Sequence, residues 1–206
     1  MFRLLKRACS FLLLFVIYQS FVIHHNVQRV LAYKPMVEKT LAENDTKANV
    51  DLVLAMIYTE TKGGEADVMQ SSESSSGQKN SITDSQASIE HGVNLLSHNL
   101  ALAEEAGVDS WTAVQAYNFG TAYIDYIAKH GGQNTVDLAT TYSKTVVAPS
   151  LGNTSGQTYF YYHPLALISG GKLYKNGGNI YWLIAFRYSP VFFFESSCWF
   201  YKTNDR

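Results

Sequence analysis

The chain has 206 residues, is 47% hydrophobic, 14% aromatic and 16% charged, and carries a formal net charge of −1. That composition excludes wholesale disorder, and a single long apolar run excludes a polytopic membrane protein. There is no basic excess of the kind a nucleic-acid binder shows, so no nucleic-acid partner is expected.

The charge is unevenly placed. Residues 1–32 hold Arg3, Lys6, Arg7 and Arg29 and no acid, which leaves 12 bases facing all 17 acids in the remainder. Residues 1–7 form a basic segment ahead of the apolar run 8–23. A positive flank followed by an apolar stretch reads as a segment that stays inside and then crosses a membrane. A cleaved secretory signal would need Val30-Leu31-Ala32 as its cleavage site. Ala32 lies nine residues past Ile23, which favours an uncleaved signal anchor with the bulk of the chain outside the cell. Cys9 and Cys198 sit at opposite ends, so no disulfide and no metal-ligand spacing is expected.

Residues 24–45 read as a polar, partly helical stalk in which Val37 and Leu41 give weak amphipathicity. The main domain is expected over 46–180. Leu52 to Glu60 is apolar on every side, as in a buried helix, and Gly63-Gly64 stops it. Residues 70–84 are polar and Ser-rich, and would pass for a linker by composition. Asp84 or Ser85 caps the next helix, whose stripe is Ile89, Val93, Leu96, Leu100 and Ala103. Asp109 or Ser110 caps Trp111 to Tyr117, which runs into Asn118-Phe119-Gly120. Further helices are expected at Ala122–Lys129 and Val136–Val147, and a short one near Pro164–Ser169. Strand signals are scarce, so the fold class is mostly α.

The chemistry-bearing residues interrupt these apolar helices. Glu60 ends a buried helix, where desolvation raises a carboxyl pKa toward what a general acid needs. It is followed by Asp67-Val68-Met69-Gln70-Ser71-Ser72-Glu73 and, later, Ala116-Tyr117-Asn118-Phe119-Gly120. In this order and at these separations the three segments resemble the lysozyme-like superfamily of lytic transglycosylases and goose-type lysozymes. Met69 to Ser74 resembles most closely the muramidase domains of the CwlT type.

That resemblance implies a lysozyme-like helical domain behind the transmembrane anchor. It also implies a peptidoglycan glycosidase acting between N-acetylmuramic acid and N-acetylglucosamine, with glycan strands as the partner. Glu60 would protonate the glycosidic oxygen. Gln70, Ser71, Ser72, Tyr117 and Asn118 would contact the sugar, with Asn118 near Glu60. A hydrolase needs a second group, and either Asp67 or Glu73 could serve; a lytic transglycosylase would use Glu60 alone. A glycan-binding module without turnover is the competing class. No cofactor and no metal is expected, because His91, His98 and His163 have no partners at ligand spacing. Gly177-Gly178-Asn179-Ile180-Tyr181 also matches the group, but the apolar tail 181–206 does not; it reads as a buried helix with a hairpin, as a partner surface, or as the product of a change of reading frame near residue 181.

Overall fold

The computed structural model describes residues 2–72, 77–78, 81–162, 166–167, 170–187 and 189–191. Among them the architecture is helical. The elements are α1 (Phe2–Leu31), α2 (Lys34–Ala42), α3 (Val50–Glu60), α4 (Ser85–Glu105), α5 (Ser110–Phe119), α6 (Ala122–Ala128), α7 (Val136–Tyr142), α8 (Ala148–Ser150) and α9 (Trp182–Arg187). A π-helical segment, Ser143–Val147, joins α7 to α8. Two three-residue strands, β1 (Thr158–Phe160) and β2 (Lys172–Tyr174), pair antiparallel with Tyr159 opposite Leu173.

The core follows from the two helices that are apolar nearly all round. α3 buries Leu52 to Ile57 without interruption, and α5 buries Trp111 to Ala116 and Phe119. The long helix α4 lays Ile89, Val93, Leu96, Leu100 and Ala103 against them. The starts of α3, α4, α5 and α7 are each closed by a side chain that satisfies a backbone donor without an intrahelical partner. Asn49 accepts from the Leu52 N–H at 2.8 Å, Asp84 from Ala87 at 2.9 Å, Asp109 from Thr112 at 2.8 Å and Thr135 from Leu138 at 3.2 Å.

Three findings differ from the reading of the sequence. First, the partly helical segment 24–45 packs on the domain. The last turns of α1 bury Val27 and Val30, and α2 buries Val37 and Thr40. The Tyr33 hydroxyl donates to the Gly63 carbonyl at 3.4 Å. A 30-residue helix is ~45 Å long, more than the ~30 Å hydrocarbon thickness, so α1 has turns to spare for packing on the domain. Its earlier part is exposed, with Phe11, Leu12, Leu13, Leu14 and Phe15 all more than half accessible.

Second, the core does not end at residue 180. Ile180, Tyr181, Trp182, Leu183, Phe186 and Val191 are all buried, and α9 packs on α3 and α5. Third, the hairpin β1–β2 was not expected, because three-residue strands are too short to show alternation. Only residues 166–167 of the short helix expected at Pro164–Ser169 are described, and they are helical.

Candidate active site

Glu60 is the last residue of α3 and is half-buried. Its Oε1 accepts from the indole Nε1–H of Trp182 at 2.8 Å, and no other hydrogen bond to it occurs among the described residues. Burial pushes its carboxyl up to about 7, the Trp182 bond pulling the other way and the Asp67 charge adding to the rise. The C-terminal end of a helix also opposes a negative charge.

The chain turns back immediately after Glu60. Lys62 and Gly63 take left-handed φ values of 54° and 68°. Gly63 is required there, since a Cβ would lie 3.1 Å from the Tyr33 ring and 3.4 Å from Val30. The Thr61 hydroxyl donates to the Val68 carbonyl at 2.9 Å, which closes the loop and brings Asp67 into range of Glu60.

Asp67 is the opposite kind of carboxylate. It is 4% exposed, and each oxygen accepts from at least two donors, the Ser71 hydroxyl also lying 3.4 Å from Oδ1. Oδ1 receives the Ser71 N–H at 2.9 Å and the Ser88 hydroxyl at 2.7 Å. Oδ2 receives the Ser72 N–H at 3.1 Å and the Ser72 hydroxyl. Burial would raise this carboxyl, but the Ser72 and Ser88 hydroxyls and the two backbone donors outweigh it and hold it below the ordinary carboxylate range. Ser71 and Ser72, the first serines of the Ser-rich string, are therefore turned onto Asp67.

Ser71 and Ser72 are each 1% exposed. The Ser71 hydroxyl donates to the Ser88 carbonyl at 3.0 Å, and the Ser72 hydroxyl accepts from the Ile82 N–H at 3.1 Å. Gln70 is exposed with φ at 49°, and its side chain donates to Glu65 at 2.9 Å. Glu73 lies outside the described residues.

Tyr117, half-buried on α5, donates its hydroxyl to the Met69 carbonyl at 2.8 Å and lies flat against Trp182, with ring centroids 6.3 Å apart at 13°. Burial and then the charges of Glu60 and Asp67 raise its phenol well above the usual value, so it stays a neutral donor. Met69 itself is fully buried and packs against Gly92, where a Cβ would come within 2.9 Å of the Met69 Cβ. Asn118 accepts from the Asn179 N–H at 2.8 Å. It thereby fixes the Gly177–Asn179 turn that delivers Trp182. Trp111 and Phe119 are core residues.

The structure thus brings Glu60, Asp67, Met69 and Tyr117 together, and adds Trp182, which the sequence reading left in the tail. A polar hollow of about 400 Å³ beside the hairpin, lined by Asn153, Gln157, Tyr159 and Lys175, contains none of these residues. Among the described residues no group of three or more His, Cys, Asp and Glu could hold a metal ion.

A half-buried glutamic acid at the end of an apolar helix, facing a Met-Gln-Ser-Ser turn and an Ala-Tyr-Asn helix, is matched by a family model described as lysozyme-like over residues 27–187. The chain belongs to the lysozyme-like family. Its relatives span close and distant cases. It is 99% identical over 182 residues to a protein of Streptococcus pyogenes serotype M6 named pneumococcal vaccine antigen A homolog, covering 88% of this chain and 92% of that one. It is 32% identical over 153 residues to CwlT of Bacillus subtilis, named a bifunctional muramidase/DL-endopeptidase, covering 74% of this chain and 45% of CwlT. A solved structure from Staphylococcus aureus, described as similar to a lipoprotein of the NLP/P60 family, superposes with a TM-score of 0.69 at 34% identity, over 78% of this chain and 52% of that one. The lysozyme-like match begins within α1 and runs to the end of α9, in keeping with the burial at both ends. The chain is thus a member of a family of cell-wall glycosidases.

Proposed function

We propose that this lysozyme-like chain is a membrane-anchored peptidoglycan glycosidase that cleaves the β-1,4 bond between N-acetylmuramic acid and N-acetylglucosamine, with Glu60 as general acid. The observation that carries this is the Glu60 carboxyl itself, half-buried at the C-terminal end of α3 with a single donor on one oxygen. A carboxyl that still holds a proton near neutral pH donates it to the glycosidic oxygen as the C1–O bond breaks, and leaves an oxocarbenium-like sugar. The bases before the exposed apolar face of α1 support a cytoplasmic N-terminus, with the catalytic domain outside, facing the wall. Tethering supplies local concentration in place of charge attraction, which an acidic domain would not gain from an anionic polymer.

The second step has two forms. In a muramidase, water attacks C1 and its proton passes to a base. In a lytic transglycosylase, the sugar's own 6-hydroxyl attacks C1 and returns its proton to Glu60, closing a 1,6-anhydro ring. The engagement of both Asp67 oxygens by four donors favours the second form, because that carboxylate has no lone pair left for water. In this proposal Asp67 acts by its charge and by shaping the Gln70–Ser72 turn. Gln70 and Tyr117 then line the glycan side.

Mass spectrometry of soluble products from purified peptidoglycan, after borohydride reduction, tests the proposal. Reducible N-acetylmuramic acid ends identify a muramidase; non-reducible ends lighter by one water identify the transglycosylase. Binding without products, from folded protein, would replace both with a glycan-binding module.

A further inference from the structure

Trp182 touches Glu60 across 122 residues of sequence, and the donor it presents has only one polarity. An indole N–H donates and never accepts. A neutral carboxyl has one C=O and one O–H, so a proton on Oε1 would leave the N–H only the weakly accepting hydroxyl oxygen. We propose that Trp182 is a positioning residue that confines the acid proton of Glu60 to Oε2, the oxygen free to meet the glycosidic bond. This rests on the reading of Glu60 as the general acid.

The packing holds the indole in one place. Trp182 is 3% exposed. Its ring lies between Tyr117, with centroids 6.3 Å apart at 13°, and Phe186, at 5.5 Å and 12°. Its backbone N–H donates to the Asn179 carbonyl at 3.1 Å. Asn179 is in turn gripped from α5, by Asn118 on its N–H and by the Gln115 amide on its carbonyl at 3.3 Å. The Ser143 hydroxyl donates to the Gly177 carbonyl at 2.6 Å. On the other face Tyr117 is pinned by Met69. Trp182 is therefore fixed from both sides, and the direction of its N–H is not free to follow the carboxyl. The carboxyl must follow it.

Without that N–H the two oxygens become equivalent proton carriers, and the ring of contacts no longer selects a rotamer. Trp182→Phe keeps a flat ring between Tyr117 and Phe186. In that variant we expect kcat to fall several-fold with KM unchanged, and the alkaline limb of the rate profile to move up by about one pH unit as the ionised form loses a donor. A merely structural tryptophan would lower kcat without moving the limb, and that result would overturn the proposal.

The direct test reads the native indole itself. The full chain in detergent micelles, labelled with ¹⁵N at its indoles, is titrated from pH 5 to 9. The Trp182 indole signal, assigned by its loss in Trp182→Phe, should lie downfield and shift with a midpoint near 7. In Glu60→Gln it should stay bonded and become independent of pH. If Glu60→Gln abolishes glycan cleavage but the native indole signal does not titrate, the role of Trp182 is overturned and Glu60 stands. If the signal titrates but Glu60→Gln still cleaves, the reading of Glu60 as the acid is overturned and this proposal falls with it. Should Trp182→Phe fail to fold, assignment by substitution at Trp111 and Trp199 leaves the native titration to decide.

Discussion

Glu60→Gln should abolish cleavage and, above neutral pH, make the protein more stable. The folded carboxyl titrates near 7, against an ordinary value of 4.5. At pH 4 both folded and unfolded chains hold the proton and burial of the group costs little. Between 4.5 and 7 the unfolded chain releases it while the folded chain keeps it, so stability falls as pH rises, and the loss is complete above 7. The full difference corresponds to about 3 kcal/mol at pH 8, an upper limit because the group is only half-buried. Glutamine has the same shape, never ionises, and its carbonyl still accepts the Trp182 N–H. The variant should therefore match the native protein at pH 4.5 and exceed it at pH 8 by as much as about 5–10 °C in Tm, for a domain of this size. Thermal melts followed by circular dichroism at the two pH values, beside product analysis at neutral pH, read both effects. A Tm difference that does not change with pH would mean that Glu60 ionises normally, and the reasoning that makes it a general acid would fail.

Asp67→Asn should destabilise the fold by about 2–4 kcal/mol, because an amide nitrogen at Oδ2 confronts the Ser72 N–H and leaves that buried donor unpaired; urea unfolding measures it, and a fully stable but inactive variant would instead make Asp67 a chemical participant. Gly92→Ala should lower Tm although alanine is the better helix former by about 1 kcal/mol, because the new methyl drives Met69 off its seat beneath Tyr117; a rise in Tm would show that Met69 yields freely. Val30→Asp should cost about 3 kcal/mol or more by burying a charge against the Gly63 turn, whereas Gln28→Asp, on the exposed side of the same turn of α1, should change stability by under about 0.5 kcal/mol; equal tolerance at both positions would restore the free-stalk reading.

Much of the fold was legible because its signals are local. The caps at Asp84 and Asp109 and the apolar stripe of α4 can each be read within one or two turns of helix. Glu60 was legible for a related reason, as a charged residue closing a run that is otherwise apolar on every face. Ser71 and Ser72 show where such reading stops. A hydroxyl is suited equally to a sugar and to a buried carboxylate, and only the fold shows these two turned inward to Asp67 and Ser88. Trp182 was out of reach altogether. Its partners are Glu60 and Tyr117, and no periodicity connects residues so far apart. The usable hint was the Gly177-Gly178-Asn179 turn, which needs a glycine with φ of 69° at position 178, packed against Phe119, and which aims whatever follows it at the site. The burial of Val27, Val30 and Val37 left a fainter trace, three valines at helical spacing in a segment whose other apolar residues obscure the stripe.

The site depends on two carboxylates that the fold treats in opposite ways. Glu60 is given one donor and a helix C-terminus; Asp67, seven residues on, is given four donors and a serine-lined shell. Environments that drive two acids apart in pKa are how one protein keeps an acid and an anion side by side. Here the two effects reinforce each other. The donors that fix the charge on Asp67 also make it a permanent anion near Glu60, and that anion adds to the rise of the Glu60 carboxyl. The serine-rich string is therefore more than a scaffold for the groove. By holding Asp67 ionised, Ser71 and Ser72 help raise the Glu60 carboxyl, and under the proposed function they are part of what sets the pH at which the acid can work.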